Sequence, residues 1–522
     1  MTTGACPRCG FPESAPAISA ALPTSLCPEL RRSNTAPSDS QYREFRREME
    51  TAASALSEID VKMRYLQRVL NDLADRRQAL LDFIADHRRV VTPLRTFPNE
   101  ILSEIFVQCA ERDPSCKWDP RTNPEWILVQ VCRRWRTVAL STPRIWGRIF
   151  ISDEISKRWL ESRRISEASV KTILSRQLER SGEVPLAINF SVHVLDLPDA
   201  VAQNILDALF LAAYRWQDVN LCVTAYHRFF QPHTPTTSFP QLRTLFLNHE
   251  YQPTASMSNS NDPCQFFKSV PCLKELGFRG HSHSHAPWVL TRIHAFPLSQ
   301  IKKLILKTHF YQMSDALNIL RSALNVVELS LEEWYKRKED TVIQYTPVIL
   351  QSLRTLSFKE ADTSVLSHIV VPALRELAID GYSPLADQTV FLTRAGSSLT
   401  HLTLQHTNSS ESETLLYVLT LTPHIVHLAL DSSRFCLDEH FMRALTCGTG
   451  AQNLVPSVMS LELRDYFTCE GSMLVEMLRS RCAPGSLRSV VLNLRRWRGS
   501  PLDLLTFETL RWDRGLEISL VD

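Results

Sequence analysis

The chain has 522 residues, of which 44% are hydrophobic and 22% charged, and its formal net charge is +2 at pH 7. This composition predicts a soluble protein of several domains. The near-neutral charge argues against a large nucleic-acid surface, and the lack of an apolar run of about 18 residues argues against a membrane span. Thirteen cysteines without a regular framework, and no secretory signal at the N-terminus, indicate reduced thiols in the cytoplasm or nucleus.

Residues 1–40 are rich in Pro, Ser, Ala and Thr and lack apolar periodicity, which predicts disorder. The segment contains CPRC, in which Cys6 and Cys9 have the spacing of half a zinc site. A closed site needs two more ligands, and only Cys27 lies near in sequence. We therefore expect no metal ion in this segment.

A long helix is predicted over residues 41–91, because the sequence from Tyr42 to Val91 contains neither Gly nor Pro. Its apolar residues alternate at steps of four and three, which is the heptad pattern of a coiled coil. These residues are Phe45, Met49, Ala52, Leu56, Ile59, Met63, Leu66, Leu70, Leu73, Leu80 and Ile84. Arg77 fills the one remaining position. The sequence leaves open whether a second copy, in a homodimer, another protein or a later part of this chain covers this heptad seam.

Two further helices are predicted in residues 92–150. In PNEILSEIFVQCA the apolar residues have helical spacing and Asn99 is a suitable cap. A loop follows, and EWILVQVCRRWRTVALS then predicts one helix that ends before Pro143. Its apolar stripe consists of Leu128, Val131, Cys132, Trp135, Val138 and Ala139. Because its arginines lie largely on the opposite side, we expect this helix to pack against protein and not nucleic acid.

The segments LRTFPNEILSEIFVQCA and LVQVCRRWRTVALSTPRIW resemble an F-box, although Phe97-Pro98 stands where Leu-Pro is usual and the loop from Glu111 to Pro124 is long. A heptad helix directly before the box is similar to the arrangement in the expanded F-box family of mushroom-forming fungi. The resemblance implies docking to the adaptor subunit of an SCF-type cullin–RING ubiquitin ligase, and through it to cullin. The residues that it assigns to this contact are Pro98, Ile101, Leu102, Ile105, Phe106, Val131, Cys132, Trp135 and Trp146.

Residues 151–215 are predicted to form a helical connector and a first strand–helix unit. From residue 216 onward the pattern Φ-x-x-Φ-x-Φ, in which Φ is apolar, occurs eleven times at intervals of 21 to 33 residues. The occurrences start at residues 216, 242, 273, 301, 326, 353, 374, 399, 425, 458 and 487. This interval is that of leucine-rich repeats, whose short strands share one core when stacked. The sequence thus predicts an α/β fold in which residues 216–522 form an irregular leucine-rich-repeat solenoid, or horseshoe.

The strand positions beside the central Leu of each repeat are predicted to face the concave side. Their mixed chemistry suits recognition of a protein. The residues that we expect to contact such a target are Phe246, Lys303, Glu328, Glu376, His401, His427 and Arg464. HSHSH, with His281, His283 and His285, has spacing that could hold a transition metal, but a polar insertion between repeats is the favoured interpretation.

The sequence contains no Gly-rich phosphate loop, no G-x-S-x-G motif and no distinctive nucleophile. We therefore predict a protein that is not an enzyme and that binds no cofactor, no nucleic acid and no membrane. The first hypothesis is a substrate-recognition subunit of a cullin–RING ligase, whose repeats hold an unknown target protein. The alternative is a repeat scaffold that has a vestigial F-box and no ligase role.

Overall fold

The structure is a computed structural model, and it divides the chain into two compact units, residues 1–98 and 99–522. The described residues are 30, 32, 34–111, 123–152, 167–191, 199–222, 238–250, 267, 269–281, 293–307, 313–333, 345–381, 386–405, 412–431, 436–448, 453–464, 466–467, 469–482, 487–493 and 501–521. The segment predicted to be disordered lies largely outside these residues, and so do Cys6, Cys9, Cys27, His283 and His285.

The first unit contains one long helix, α1 (Asp39–Val90), which confirms the helix predicted for residues 41–91. The helix begins with a capping box, in which the backbone N–H of Gln41 donates to Ser38 Oγ and the backbone N–H of Ser38 donates to Gln41 Oε1. Basic residues in the last turn suit the negative end of the helix dipole. No residue of α1, all of which is described, is buried.

The second unit begins with a cluster of short helices. These are α2 (Asn99–Glu111), α3 (Pro124–Val131), α4 (Arg133–Leu140) and a 3₁₀ turn (Pro143–Trp146). The single helix predicted for residues 125–141 is therefore wrong. Cys132 is extended, with φ −160° and ψ 171°, and its Sγ accepts a hydrogen bond from the backbone N–H of Trp135 as the cap of α4. Because the chain turns there, Leu128 and Val138 both reach the same core.

Alternating strands and helices make up the rest of the second unit. The helices are α5 (Glu167–Arg180), α6 (Asp199–Leu211), α7 (Met313–Ser322), α8 (Ala386–Ala395), α9 (Ser412–Thr420), α10 (Glu439–Leu445), α11 (Gly471–Arg481) and α12 (Pro501–Arg514). The strands are β1 (Arg148–Ser152), β2 (Leu186–Ser191), β3 (Trp216–Cys222), β4 (Thr244–Glu250), β5 (Glu275–His281), β6 (Lys303–Lys307), β7 (Glu328–Glu332), β8 (Val348–Ile349), β9 (Thr355–Lys359), β10 (Ile369–Val370), β11 (Glu376–Asp380), β12 (His401–Gln405), β13 (His427–Asp431), β14 (Cys436–Leu437), β15 (Ser460–Leu463), β16 (Tyr466–Phe467), β17 (Ser489–Asn493) and β18 (Glu517–Val521).

Fourteen of these strands form one parallel sheet in chain order, β1-β2-β3-β4-β5-β6-β7-β9-β11-β12-β13-β15-β17-β18. Short parallel pairs, β8 with β10 and β14 with β16, lie outside it. Each of the eleven predicted motifs contributes one strand of the large sheet. The sheet also contains β1, β2 and β18, and β1 begins inside the segment predicted to be the F-box.

The three apolar positions of the motif explain this sheet. The second and third lie at alternate strand positions and align across the strands in buried rows, one of which runs Leu276, Leu304, Leu329, Leu356, Leu377, Leu402, Leu428 and Leu461. The first position is buried just before each strand, as at Leu242 and Leu374. Together they belong to one core from Ile149 to Leu516. Since each unit shares its apolar face with the next, no unit needs a core of its own.

The connecting helices cover one face of the sheet, because right-handed crossovers between sequential parallel strands all return on the same side. The strands agree with this: their second and fourth residues are buried, and the first, third and fifth are mostly half-buried or exposed. The side away from the helices is called the open face below. Among the described residues, no helix combines the length and apolar character needed to cross a membrane.

Candidate protein-interaction sites

The helical cluster of residues 99–146 has a small core of its own. This core consists of Leu102, Phe106, Val107, Leu128, Val138, Ala139, Ile145 and Trp146. Trp135 packs against its edge, with its ring centre 5.0 Å from that of Phe106. The indole N–H of Trp146 donates to the Ala139 carbonyl at 2.9 Å, so that this buried polar group is paired.

The core divides the residues predicted to contact the ligase adaptor into two groups. Leu102, Phe106 and Trp146, which the sequence assigned to the adaptor contact, are at most 1% exposed, so the structure places their side chains in the core of the cluster. They are buried because the turn at Cys132 folds α3 and α4 against α2. Pro98, Ile101, Val131 and Cys132 are exposed, whereas Ile105 and Trp135 are half-buried.

Three exposed apolar side chains of this cluster lie on α2 and α3. Arg134 Nε donates to Asn99 Oδ1 at 3.0 Å, which places the start of α4 beside the start of α2. Ile101 is on α2, and Val131 is three residues before Arg134. Ile127 lies one helical turn before Val131 on α3. Ile101, Ile127 and Val131 are 51%, 43% and 53% exposed, and together with Cys132 they are called the α2–α3 patch below.

Three arginines near this patch make contacts within the cluster. Arg136 Nε donates to the Val129 carbonyl at 2.8 Å, and Arg144 pairs with Glu104 at 3.1 Å. Arg134 holds Asn99, as described above. These contacts stabilise the arrangement of the helices.

All the predicted target residues except Arg464 lie in strands of the large sheet, at positions that face its open side. Lys303 Nζ lies 2.9 Å from a Glu328 carboxylate oxygen on the next strand. This hydrogen bond raises the pKa of Lys303. Glu376 accepts a hydrogen bond from Thr355 Oγ1 across another strand pair. The aligned first residues of these strands are Glu275, Lys303, Glu328, Thr355 and Glu376, so acidic side chains are separated by a cation or a hydroxyl group.

A second cluster on the open face surrounds His427. The ring centres of His401 and His427 are 5.7 Å apart on paired strands. Glu462 lies 3.9 Å from His427 Nε2 and 3.1 Å from the Arg464 guanidinium. Burial lowers the pKa of His427, and the Glu462 carboxylate partly opposes this effect. The arrangement suits a partner that presents both hydrogen-bond donors and acceptors.

Phe246 occupies a distinct place on the open face. It aligns with Gly277 of the next strand, and a Cβ atom at Gly277 would overlap the Phe246 ring. The Arg279 guanidinium carbon lies 5.5 Å from the centre of the same ring. Glycine at position 277 thus lets the aromatic ring lie flat across β5, where it offers an apolar contact bordered by a cation.

No model of a known protein family matches this chain, and no curated protein sequence matches it.

The described residues contain no group of three or more His, Cys, Asp and Glu side chains placed to hold a metal ion. The side chain of His281, at the end of β5, is outside the described set, as are the remaining residues of both metal-like motifs. Cys469 is buried, and burial raises the pKa of its thiol to about 11. Such a thiol is a poor nucleophile at neutral pH.

The sequence interpretation missed Ile127, Gly277 and Arg279. Ile127 is four residues before Val131, so helical spacing alone places both on one side of α3. Gly277 lies inside a predicted strand, where glycine often marks the close approach of another group. These two signals were present in the sequence, but the ring that covers Gly277 belongs to a strand 31 residues earlier.

Proposed function

We propose that this chain is a substrate-recognition subunit of an SCF-type cullin–RING ubiquitin ligase and is not itself an enzyme. Its helical cluster docks the ligase adaptor, and the open face of its sheet holds a target protein. The observation that carries the proposal is that the segment resembling an F-box forms a compact helical cluster with an exposed apolar patch.

The α2–α3 patch supports the docking role. Its three large apolar side chains are exposed although a full core exists beneath them. An apolar patch bordered by polar groups is typical of a protein contact. Leu102, Phe106 and Trp146 hold α2, α3 and the 3₁₀ turn together under this surface, and Ile101, Val131 and Cys132 make the contact.

The repeated units support the receptor role. Eleven motifs with the interval of leucine-rich repeats stand side by side in one parallel sheet, as expected of a solenoid whose concave side binds protein. The mixed charges around Lys303 and His427 and the exposed side of Phe246 provide varied contacts. No chemistry on the target is required of this chain.

The proposed mechanism is proximity. A target held on the open face is brought near a ubiquitin-charged enzyme elsewhere in the ligase, which raises its effective concentration there. The whole assembly is expected in the cytoplasm or nucleus, where reduced cysteines persist.

The experiment is co-purification of the full chain with the host's SCF adaptor, followed by size exclusion with light scattering. The test variant is Ile101→Asp with Val131→Asp, because both side chains are exposed and outside the core. Leu211→Asp, at an 83% exposed position on α6, is the matched control. We expect one adaptor per chain for the wild type and the control, and none for the test variant.

The absence of an adaptor complex with folded wild-type chain would contradict the proposal. It would favour the second candidate, a repeat scaffold with a vestigial F-box. The burial of Leu102 and Phe106 is the observation that favours this candidate, because it limits the apolar area open to a partner.

A further inference from the structure

The heptad seam of α1 has no buried residue, and only Phe45 and Ile59 among its apolar residues are half-buried. Seven large apolar residues of the seam are 55–72% exposed: Met49, Leu56, Met63, Leu66, Leu70, Leu73 and Leu80. Tyr42 and His87 extend the same spacing by one position at each end. An apolar stripe of this length requires a partner helix.

We propose that the partner is a second copy of α1, aligned antiparallel over its full length. In this register the numbers of facing residues add up to 129, because Asp39 then lies opposite Val90. The same sum pairs the seam positions with one another: Tyr42 with His87, Phe45 with Ile84, Met49 with Leu80, Ala52 with Arg77, Leu56 with Leu73, Ile59 with Leu70, and Met63 with Leu66.

Two independent features select this register. The first is the length of overlap: the two helices overlap over all 52 residues only when Asp39 of one copy lies opposite Val90 of the other. The sum also places Arg77, the charged residue of the seam, opposite Ala52, the smallest side chain of the seam. Shifting the copies by one heptad in either direction would place Arg77 opposite Phe45 or Ile59 and would reduce the overlap.

A parallel, aligned pair is disfavoured by charge. It would put the two Arg77 side chains in one layer of the seam, with Arg76 of each chain beside them. Asp72 lies 3.1 Å from Arg76 within its own helix. In the antiparallel pair the two arginines lie in separate layers. Glu48 of the other copy is one helical turn from Ala52, or about 6 Å along the axis, within reach of the arginine.

The antiparallel arrangement has a consequence for the assembly. Each copy of α1 is 52 residues long, so the two Val90 ends lie about 75 Å apart. The two chains therefore continue toward residue 99 from opposite ends of the helix pair. A single dimer presents two copies of the second unit, and this holds whether or not the proposed ligase role is correct.

The test is a charge exchange in the full chain, with the dimer dissociation constant measured by sedimentation. Ala52→Arg puts a guanidinium opposite Arg77 of the other copy, at two places in the dimer. We expect this change to weaken the dimer by about 100-fold or more. Adding Arg77→Glu should return the constant to within about tenfold of the wild type, because each new cation then faces a new carboxylate.

Ala79→Arg, outside the seam on the same helix, is the matched control and should leave the dimer unchanged. A parallel aligned dimer would respond in the opposite way to the double change, because like charges would then face each other at both positions and the weakening would persist. Persistent weakening in the double variant would overturn the proposal. So would a wild-type chain that stays monomeric at all concentrations, or one that forms a tetramer.

Discussion

The guanidinium carbon of Arg180 lies 4.5 Å from the centre of the Trp146 ring and 5.0 Å from that of Trp126. Arg180 ends α5, the first helix behind the sheet, and both tryptophans belong to the helical cluster. Burial lowers the pKa of Arg180, but a guanidinium remains charged throughout the physiological range. This cation–π contact therefore joins the cluster to the sheet.

Arg180→Ala should loosen this junction. We expect the chain to lose about 1–2 kcal/mol of unfolding free energy, because the cation lies over two largely desolvated rings. Urea unfolding and hydrogen exchange of α3 and α4 would measure the effect. Arg176→Ala, an exposed change on the same helix, is the control. Equal effects of the two changes would contradict the assigned role of Arg180.

Gly277→Ala should displace the Phe246 ring, because the new Cβ would occupy its place. We expect the free energy of unfolding, measured with urea, to fall by about 1–3 kcal/mol, which is typical of overpacking. In a Phe246→Ala background the same change should cost much less, which makes a double-mutant cycle decisive. Gly448→Ala is the matched control, since its Cβ would meet nothing within 4 Å.

Glu125→Gln should stabilise the chain at pH 7. Glu125 is 5% exposed, and burial raises the pKa of its carboxyl above 4.5, although Asn123 donates a hydrogen bond to it at 3.0 Å. Protonation of Glu125 thus stabilises the fold at low pH, and this contribution is lost as pH rises through the raised pKa.

The advantage of Glu125→Gln in urea unfolding should therefore shrink as pH falls toward 4.5. The exposed change Glu100→Gln serves as the control. If Glu125→Gln destabilised the chain at pH 7, the carboxylate would have to be better paired than the structure shows.

Exposed cysteines should be alkylated faster than buried ones. At pH 8, iodoacetamide is expected to label Cys109, Cys132 and Cys272, which are exposed, well before Cys469. The thiolate fraction of Cys469 is very small at this pH because its pKa is about 11. Peptide mass spectrometry over a time course would measure the order. Early labelling of Cys469 in folded protein would show that this region opens readily.

Arg481→Met should be the most destabilising of these changes. The buried guanidinium donates to the carbonyls of Leu445, Leu454 and Val455 at 2.6, 2.8 and 3.1 Å. Removing it leaves three carbonyls without this donor, and we expect a loss of at least about 3 kcal/mol. Arg479→Met, exposed on the same helix α11, should cost little in the same urea titration.

Local periodicity was sufficient to predict much of the fold. The steps of four and three from Phe45 to Ile84 require only that neighbouring turns of one helix share a side, and α1 follows them. Likewise, an apolar residue at alternate positions of each motif predicted strands such as β9 and β12. Both signals lie within a few residues, so no distant contact is needed to produce them.

Contacts between distant residues decided the rest. Cys132 interrupts a stretch with good helical periodicity because two short helices fill the core around Phe106 better than one long helix, and this burial removes Leu102 from the surface. Phe246 and Gly277 meet only after two strands pair. The sequence by itself determined the long helix α1, the strand of each of the eleven motifs and which side chains are apolar. Tertiary structure alone decided which of those apolar side chains became core and which stayed on the surface, because burial depends on packing between elements that are far apart in the chain.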